Sequence, residues 1–500
     1  MFIATTLLAM VGIHGSQAQE TGKAQHHHYK FFDLGTFGGQ ASYLSNGFDG
    51  ILNDHGTAVG WADTSTRDPY PAFCFNPDCF VSHAFQWRDG ALTDLGTLPG
   101  GSSSQAFWIS SNGLIAGISQ NGEIDPLIPG LPEVRAVLWK RGQIIVLGTL
   151  EGGHESVSNA LNNLGQVVGA FNNTIPDPFS LVGNGYQVRA FLWQNGAMQD
   201  LGTLGGPDAW ATLINHRGEV TGYSYTMSTP NLQTGFPTQD PFLWTESAGT
   251  TDLGTLGGTF GTPSAMNNRG EVVGQSNLAG DLTFHPFLWT KRSGMRDLGT
   301  LGGNTGVVNW INDRGDIVGK TDLPGSLSPQ DHHAVLWRQG VQIDLGTFPE
   351  DSSSNAYYVN SRGQVVGTSE DRAHMLMGVG EHAFLWEDGG PMVDLNTLVP
   401  AGSSLTLTYA VAINDNGVIA GFGVPPGVPP EDYEIQGHAY VLIPCEDDHP
   451  NLVGCDNSMV DASVTNASRP EARVELPPGT NHGPRQRNNR FHFPSLVPKN

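Results

Sequence analysis

Asp252-Leu253-Gly254-Thr255-Leu256-Gly257-Gly258 opens a unit that continues through Met266-Asn267-Asn268-Arg269-Gly270-Glu271-Val272-Val273-Gly274 to His285-Pro286-Phe287-Leu288-Trp289. These three blocks recur in the same order along the chain, and their recurrence decides the fold. The first returns at Asp33–Gly39, Asp94–Gly101, Val146–Gly153 and Asp200–Gly206, then at Asp297–Gly303, Asp344–Asp351 and Asp394–Pro400. The second returns at Leu52–Gly60, Ile109–Gly117, Leu161–Gly169 and Ile214–Gly222, then at Ile311–Gly319, Val359–Gly367 and Ile413–Gly421. The third spans His83–Trp87, Arg135–Trp139, Arg189–Trp193 and Asp240–Trp244, then His333–Trp337, His382–Trp386 and, without Trp, His438–Leu442. From Gly35 to Gly346 the period averages about 52 residues, too long for a helical heptad and right for a small sheet.

Each block has a mechanical meaning. Asn at the first and Gly at the fourth position of Asn-x-x-Gly suit a type I turn followed by a residue with positive φ. Ser110 replaces Asn in the second copy and serves the same turn. Short apolar runs on either side make a hairpin of strands a and b, with strand b ending in Val-Val-Gly. The Phe-Leu-Trp block, an x-x-Gly turn and x-Asp-Leu-Gly make a second hairpin of strands c and d. Each unit is therefore a four-stranded antiparallel sheet that must stack on neighbours to bury its faces.

The ends of the array indicate a ring. Tyr29-Lys30-Phe31-Phe32-Asp33-Leu34-Gly35 is a strand d with no a, b or c before it. The last unit supplies a, b and c, and then Pro444 intervenes with no strand d. The surplus at one end fills the deficit at the other, the closure of an all-β β-propeller of eight four-stranded blades. An open array would carry polar capping repeats, and none is visible.

Composition agrees. Gly is 66 of 500 residues, and only 14% are charged, against about 25% in ordinary domains. The 24 basic residues face 48 acidic ones, a net charge of −24, which argues against nucleic acid as a partner. The apolar run from Phe2 to Ile13 followed by Ser16-Gln17-Ala18 reads as a signal peptide over 1–18. A linker is expected over 19–28, including His26-His27-His28, the propeller over 29–443, and a looped, then disordered tail over 444–500. The expected location is extracellular or periplasmic, with no membrane span. Cys74 and Cys79, and Cys445 and Cys455, are disulfide candidates as two local loops, with pairing between the two segments left open.

The tripeptides His83-Ala84-Phe85 and His382-Ala383-Phe384 resemble the signature of the extracellular HAF-repeat family, and the resemblance covers residues 29–442. It implies export and a propeller-like repeat, and it carries no catalytic residues. The units are also similar to WD and kelch propeller repeats in length and in a Trp near a strand end, though Trp-Asp is absent.

Antiparallel order puts the a–b and c–d turns on one face and the b–c loops and d-to-a connections on the other. The b–c loops differ most between copies, so the expected ligand-binding face is theirs. Its candidate residues are Trp61, Tyr70, Asp125, Tyr223, Tyr225, Asp371 and Tyr433: aromatic rings that could stack on sugars, and carboxylates that could accept their hydroxyls. The recurring His of the third block is expected to satisfy backbone groups, and the recurring Asp of the first to close a turn. No Gly-x-Ser-x-Gly elbow, His-Glu-x-x-His or phosphate loop occurs. The reading is a monomeric, secreted binding module for an extracellular protein or glycan, with no catalytic residue, metal or cofactor. The alternative is a propeller hydrolase or lyase acting on extracellular glycans, which would need an acid/base pair converging at one mouth.

Overall fold

The computed structural model describes residues 25–45, 50–150, 152–325, 331–377, 379–387, 389–445, 455–456 and 458–461. The segment 1–18 expected as a signal peptide and most of the expected tail lie outside them. Blade 3 shows the unit plainly: strand a (Ser156–Leu161), b (Val167–Pro176), c (Tyr186–Gln194) and d (Ala197–Asp200), antiparallel and in sheet order. Eight such blades follow one another, with blades 4 and 5 joined by one parallel pairing, Gln239 to Phe260. Strands a touch their counterparts in adjacent blades from blade 2 round to blade 8, which places them at the axis. The protein is a β-propeller.

The Val-Val-Gly expected to end strand b in fact begins it. Strand b runs on through Ala58–Arg67, Ile115–Ile124, Val167–Pro176 and Val220–Pro230, into residues expected as loop. Its outer half re-pairs with strand c after a register shift, for instance between Asn172 and Pro176, so the ladder survives an irregularity that hides the strand period in sequence. The Gly that closes Val-Val-Gly has a packing reason. Strand a carries a bulge opposite it, between Ser158 and Ala160 in blade 3. A Cβ on Gly169 would run into the Val157 carbonyl and press on the Phe191 ring. That Phe, the third residue of the His-Ala-Phe block, is fully buried in blade 3, as are Phe85, Phe242, Phe287 and Phe384 in theirs.

Closure follows the expected route. Tyr29–Asp33 pairs antiparallel with His438–Pro444, with Phe31 opposite Leu442 and Asp33 opposite Tyr440, and so becomes strand d of blade 8. Blades 8 and 1 then share one core containing Tyr43, Phe85, Trp87, Tyr409, Phe422 and Val441. The turns add a second closure. Each a–b turn Asn holds its own turn through Oδ1 and donates Nδ2 to the first carbonyl of the next turn. The chain runs from Asn162 to Asn215, Asn267, Asn312, Asn360, Asn414 and back to Asn53, at 2.9 to 3.3 Å. Asn53 donates to Ser110. Ser110 has no amide, and there Asn112 Nδ2 reaches the Asn163 carbonyl at 2.8 Å instead. On the opposite face, serines staple blades: Ser42, Ser104, Ser156 and Ser354 accept from the His-Ala-Phe alanine amides Ala439, Ala84, Ala136 and Ala334 of the preceding blades.

The segment expected as linker is, in its described part, a strand: Gln25–His27 pairs with Met459–Asp461. Cys445 pairs with Cys455 beside it, and the Cys445 amide donates to the His28 carbonyl at 2.8 Å. Cys74 pairs with Cys79, so both disulfides are local. Among the described residues, no helix is long and apolar enough to cross a membrane.

Asn414 tests the girdle of turns. It is buried, accepts from Asn416 and Val418 amides, and donates to Asn53 of the neighbouring blade. Asn414→Ala should cost about 2 kcal/mol, because three partners lose their bond. Asn416→Ala, which removes an inter-blade bond that is exposed to water, from Nδ2 to the Asp54 carbonyl, should cost under about 0.5 kcal/mol. Urea unfolding midpoints measure both, and equal costs would refute a special role for the buried amide.

Candidate ligand-binding face

Strands b end, c begin and d end on one face, so residues from both recurring polar positions meet there. His83 Nδ1 lies 2.8 Å from Asp94 Oδ2, and the same pair forms between His285 and Asp297, His333 and Asp344, and His438 and Asp33. The other Asp oxygen accepts the amide of the Gly two residues on, as in Gly96 to Asp94 at 2.7 Å. The Asp closes its turn as expected. The His instead bonds a side chain, because the c–d register sets it diagonally beside that Asp. Burial works to raise the Asp94 carboxyl, but the His83 hydrogen bond, the Gly96 amide and the His83 charge hold it below its usual range. In blade 4, Asp240 replaces His and faces Asp252. Burial first, then the Asp252 charge, push Asp240 up to about 7.

Blade 7 breaks the pattern. His382 turns from Asp394 to Asp351, with Nδ1 3.1 Å from Oδ2. The b–c loop carries a short helix, Arg372–Met377. Its His374 Nδ1 lies 3.0 Å from Asp371 Oδ1 and 3.2 Å from Glu381 Oε2. The hydrogen bond to Glu381 raises His374 to about 9, against the pull of burial and with the charges of Glu381 and Asp371. Burial works to raise Glu381, yet the His374 bond and the His382 and His374 charges bring it below its ordinary value. Ligand atoms of Asp371, His374 and Glu381, and of Asp351, Glu381 and His382, lie within 4.8 Å of one another. The first group could hold a divalent ion only after His374 loses its proton, and the second only through a neutral His382. With the proton in place, the cluster is a network of charge-assisted hydrogen bonds.

An aromatic track crosses four blades near the axis. Trp61 stacks on Tyr43 at 5.7 Å and meets Phe107 of blade 2 edge-on at 5.9 Å. The Tyr43 hydroxyl donates to the Glu434 carbonyl at 2.8 Å, which fastens the blade 8 loop to blade 1. Tyr433 in that loop lies 5.2 Å from Tyr409, and Tyr409 lies 6.3 Å from Tyr357 of blade 7. Trp61, Phe107, Tyr357 and Tyr433 remain half-buried, while Tyr43 and Tyr409 sit beneath them.

The structure brings two of the seven expected residues, Trp61 and Tyr433, into this track. Trp61 is on strand b and donates Nε1 to Asn76 at 3.1 Å. Tyr223 is also on strand b, half-buried against Ala170, Val188 and Trp210. Tyr225 is buried, its phenol pushed up by burial and by Asp208 and Asp177. Asp125 is 2% exposed and accepts the Leu127 amide at 2.7 Å, closing a turn. Tyr70 lies at the disulfide loop of blade 1, its amide held by Asp68. Asp371 stands apart in the blade 7 cluster. Sequence reasoning passed over Tyr43, Tyr409, Tyr357 and His374, and counted Glu381 only among the acidic residues of the b–c loops. One signal was present: Phe107 and Tyr357 stand three residues before the turn residue, where blades 3 and 6 have Asn159 and Asn309.

No protein-family model matches the chain, and no curated protein matches it. Among solved structures it is similar to the β-propeller domain of the Trilobed protease from Pyrococcus furiosus (TM-score 0.41, 10% identity, 71% of this chain and 97% of that one). It is also similar to the acylaminoacyl peptidase of Pyrococcus horikoshii (TM-score 0.40, 11% identity, 77% of this chain), of whose length it spans 58%. A gluconolactonase from Xanthomonas campestris aligns with a TM-score of 0.28 at 10% identity, over 84% of this chain and 91% of that one. Likenesses this distant assign no chemistry.

The blade 7 cluster has a pH signature. A His raised to about 9 contributes stability that is complete below pH 6.5 and lost as pH rises through 9, while the lowered Glu381 contributes above pH 4.5. Thermal unfolding of the wild type should therefore fall between pH 6.5 and 9. His374→Gln should flatten that fall, leaving the share of His382, which is also raised. An unchanged slope in the variant would show that His374 is not charged in the folded protein.

Proposed function

We propose that the protein is an exported binding module of HAF-repeat type, whose loop face takes an extracellular glycan across the aromatic track of blades 2, 1, 8 and 7. The carrying observation is two sets of rings with half-buried members, Phe107–Trp61–Tyr43 and Tyr433–Tyr409–Tyr357, joined where the Tyr43 hydroxyl donates to the Glu434 carbonyl. Carboxylates flank it. Asp63 is held by the Asn76 amide at 2.9 Å and raised to about 9 by burial and by its neighbour Asp78. Rings that offer flat apolar faces beside hydrogen-bonding groups suit sugar rings, which present C–H faces and hydroxyl edges. Export is supported by the N-terminal apolar run together with two disulfides.

A second reading, a hydrolase or lyase acting on such glycans, draws on the blade 7 cluster, where a cationic His374 sits between two carboxylates. An acid/base pair of that kind is the minimum such chemistry requires.

Screening the folded protein against a panel of extracellular oligosaccharides should give hits whose affinity falls about tenfold or more in Tyr433→Ala, the loss of one stacked ring, ~1–2 kcal/mol. Because the Tyr433 ring also packs against Tyr409 and Phe422, the unfolding temperature should fall somewhat, and affinity is compared at a temperature where circular dichroism shows the variant folded. Absence of glycan hits with capture of a protein partner would replace the ligand class. Release of new reducing ends from a polysaccharide, abolished in Glu381→Gln, would move the assignment to the enzyme reading.

A further inference from the structure

A cavity of about 630 Å³ lies between blades 5 and 6, reaching blade 7; it runs from the a–b turns, on the face opposite the loops, inward as far as Asp297. Its charge is contrary to the rest of the molecule. Five arginines line it, Arg269, Arg296, Arg314, Arg338 and Arg362, against three carboxylates, Glu271, Asp297 and Asp316. The whole chain has only 24 basic residues for 48 acidic ones.

Three of these arginines come from the repeat. The third position of Asn-x-x-Gly is Arg in four consecutive blades: Arg217, Arg269, Arg314 and Arg362. In blades 4 and 5 a Glu two residues on takes the guanidinium, Arg217 with Glu219 and Arg269 with Glu271. Blade 6 has the shorter Asp316 there, and Asp316 pairs with Arg338 at 3.0 Å. Arg314 is displaced from that partnership. Its side chain and that of Arg296 are exposed and make no hydrogen bond or ion pair among the described residues. A second observation points the same way. Gln342 also lines the cavity; its Nε2 is buried behind the lining without a hydrogen-bond partner among the described residues, so a ligand reaches it only when the side chain turns. The floor is apolar: Leu288, Ile317 and Trp337, whose Nε1 is fixed to the Leu298 carbonyl at 3.1 Å.

We infer that this cavity is a binding site for an anionic sugar, separate from the loop-face track. Arg296 and Arg314 grip the carboxylate or sulfate, since planar guanidinium forks match an oxyanion in two parallel bonds. The Gln342 side chain turns on binding, so that its amide donates to a ring hydroxyl or to the same oxyanion. The volume accommodates one or two sugar rings.

Calorimetry on the full folded protein tests this with four probes: an oligogalacturonate, a sulfated oligosaccharide, a neutral malto-oligosaccharide and inorganic sulfate. At least one of the two acidic oligosaccharides should bind and the neutral one should not, with affinity falling as salt rises. The double variant Arg296→Gln/Arg314→Gln should weaken binding at least tenfold, and Gln342→Leu about threefold. Arg296 and Arg314 are exposed, so the double variant should keep the wild-type unfolding temperature, and Gln342→Leu should not lower it because the amide it removes has no partner among the described residues. Tyr433→Ala, on the far face, should leave this binding unchanged, so failure here and failure of the loop-face reading are told apart. Undiminished binding in the double variant would overturn the site. Equal affinity for inorganic sulfate, or no preference for acidic over neutral sugar, would overturn the ligand.

Discussion

A buried side-chain amide has two donors and an acceptor to satisfy, and the a–b turn asparagines meet this demand by spanning two blades. Oδ1 accepts from the turn that carries it, and Nδ2 donates to a carbonyl of the next blade. One residue type therefore holds the local turn and ties it to the turn of the next blade. The links form a circle, so removing one leaves an orphan on each side of it. Even at blade 2, where Ser110 cannot donate, Asn112 and Asn163 carry the link by another route.

The other face is held more loosely and varies more. Serine staples and His–Asp pairs recur there, but not in every blade, and each departure changes the chemistry on offer. Val146 in place of Asp leaves Arg135 to pair with Glu133. Asp240 in place of His sets two carboxylates side by side. In blade 7 His382 turns to a different carboxylate, and a new His enters from the loop. A scaffold closed twice, by strand pairing and by the turn girdle, tolerates such changes because no single loop carries the closure.

The two faces also differ in electrostatic character. Loop-face carboxylates are buried beside one another or held by histidine, while arginines gather at the turns of blades 4 to 7. A strongly acidic chain thus keeps a local cationic patch, screened from the opposite face by the thickness of the sheets and by solvent.

Blade number, strand order, turn type and the sharing of the last blade between both ends were all legible in the residues. They rest on local chemistry, Asn and Gly at a turn, or on a period that survives translation along the chain. The reach of strand b was not legible, because a register shift breaks the alternation that marks a strand. The His–Asp pairs consist of two residues that each recur visibly, yet their meeting depends on the c–d register. Trp61 and Tyr433 were each singled out, but only ring closure brings their blades together, where Tyr43 beneath Trp61 donates to the carbonyl of Glu434 beside Tyr433, across some 370 residues of chain. The cationic cavity depends on one missing methylene in Asp316 and on which arginine reaches it. Sequence by itself determined the repeating unit and how the circle closes; contacts between units far apart in the chain were decided by tertiary structure, since they depend on distances that no local pattern encodes.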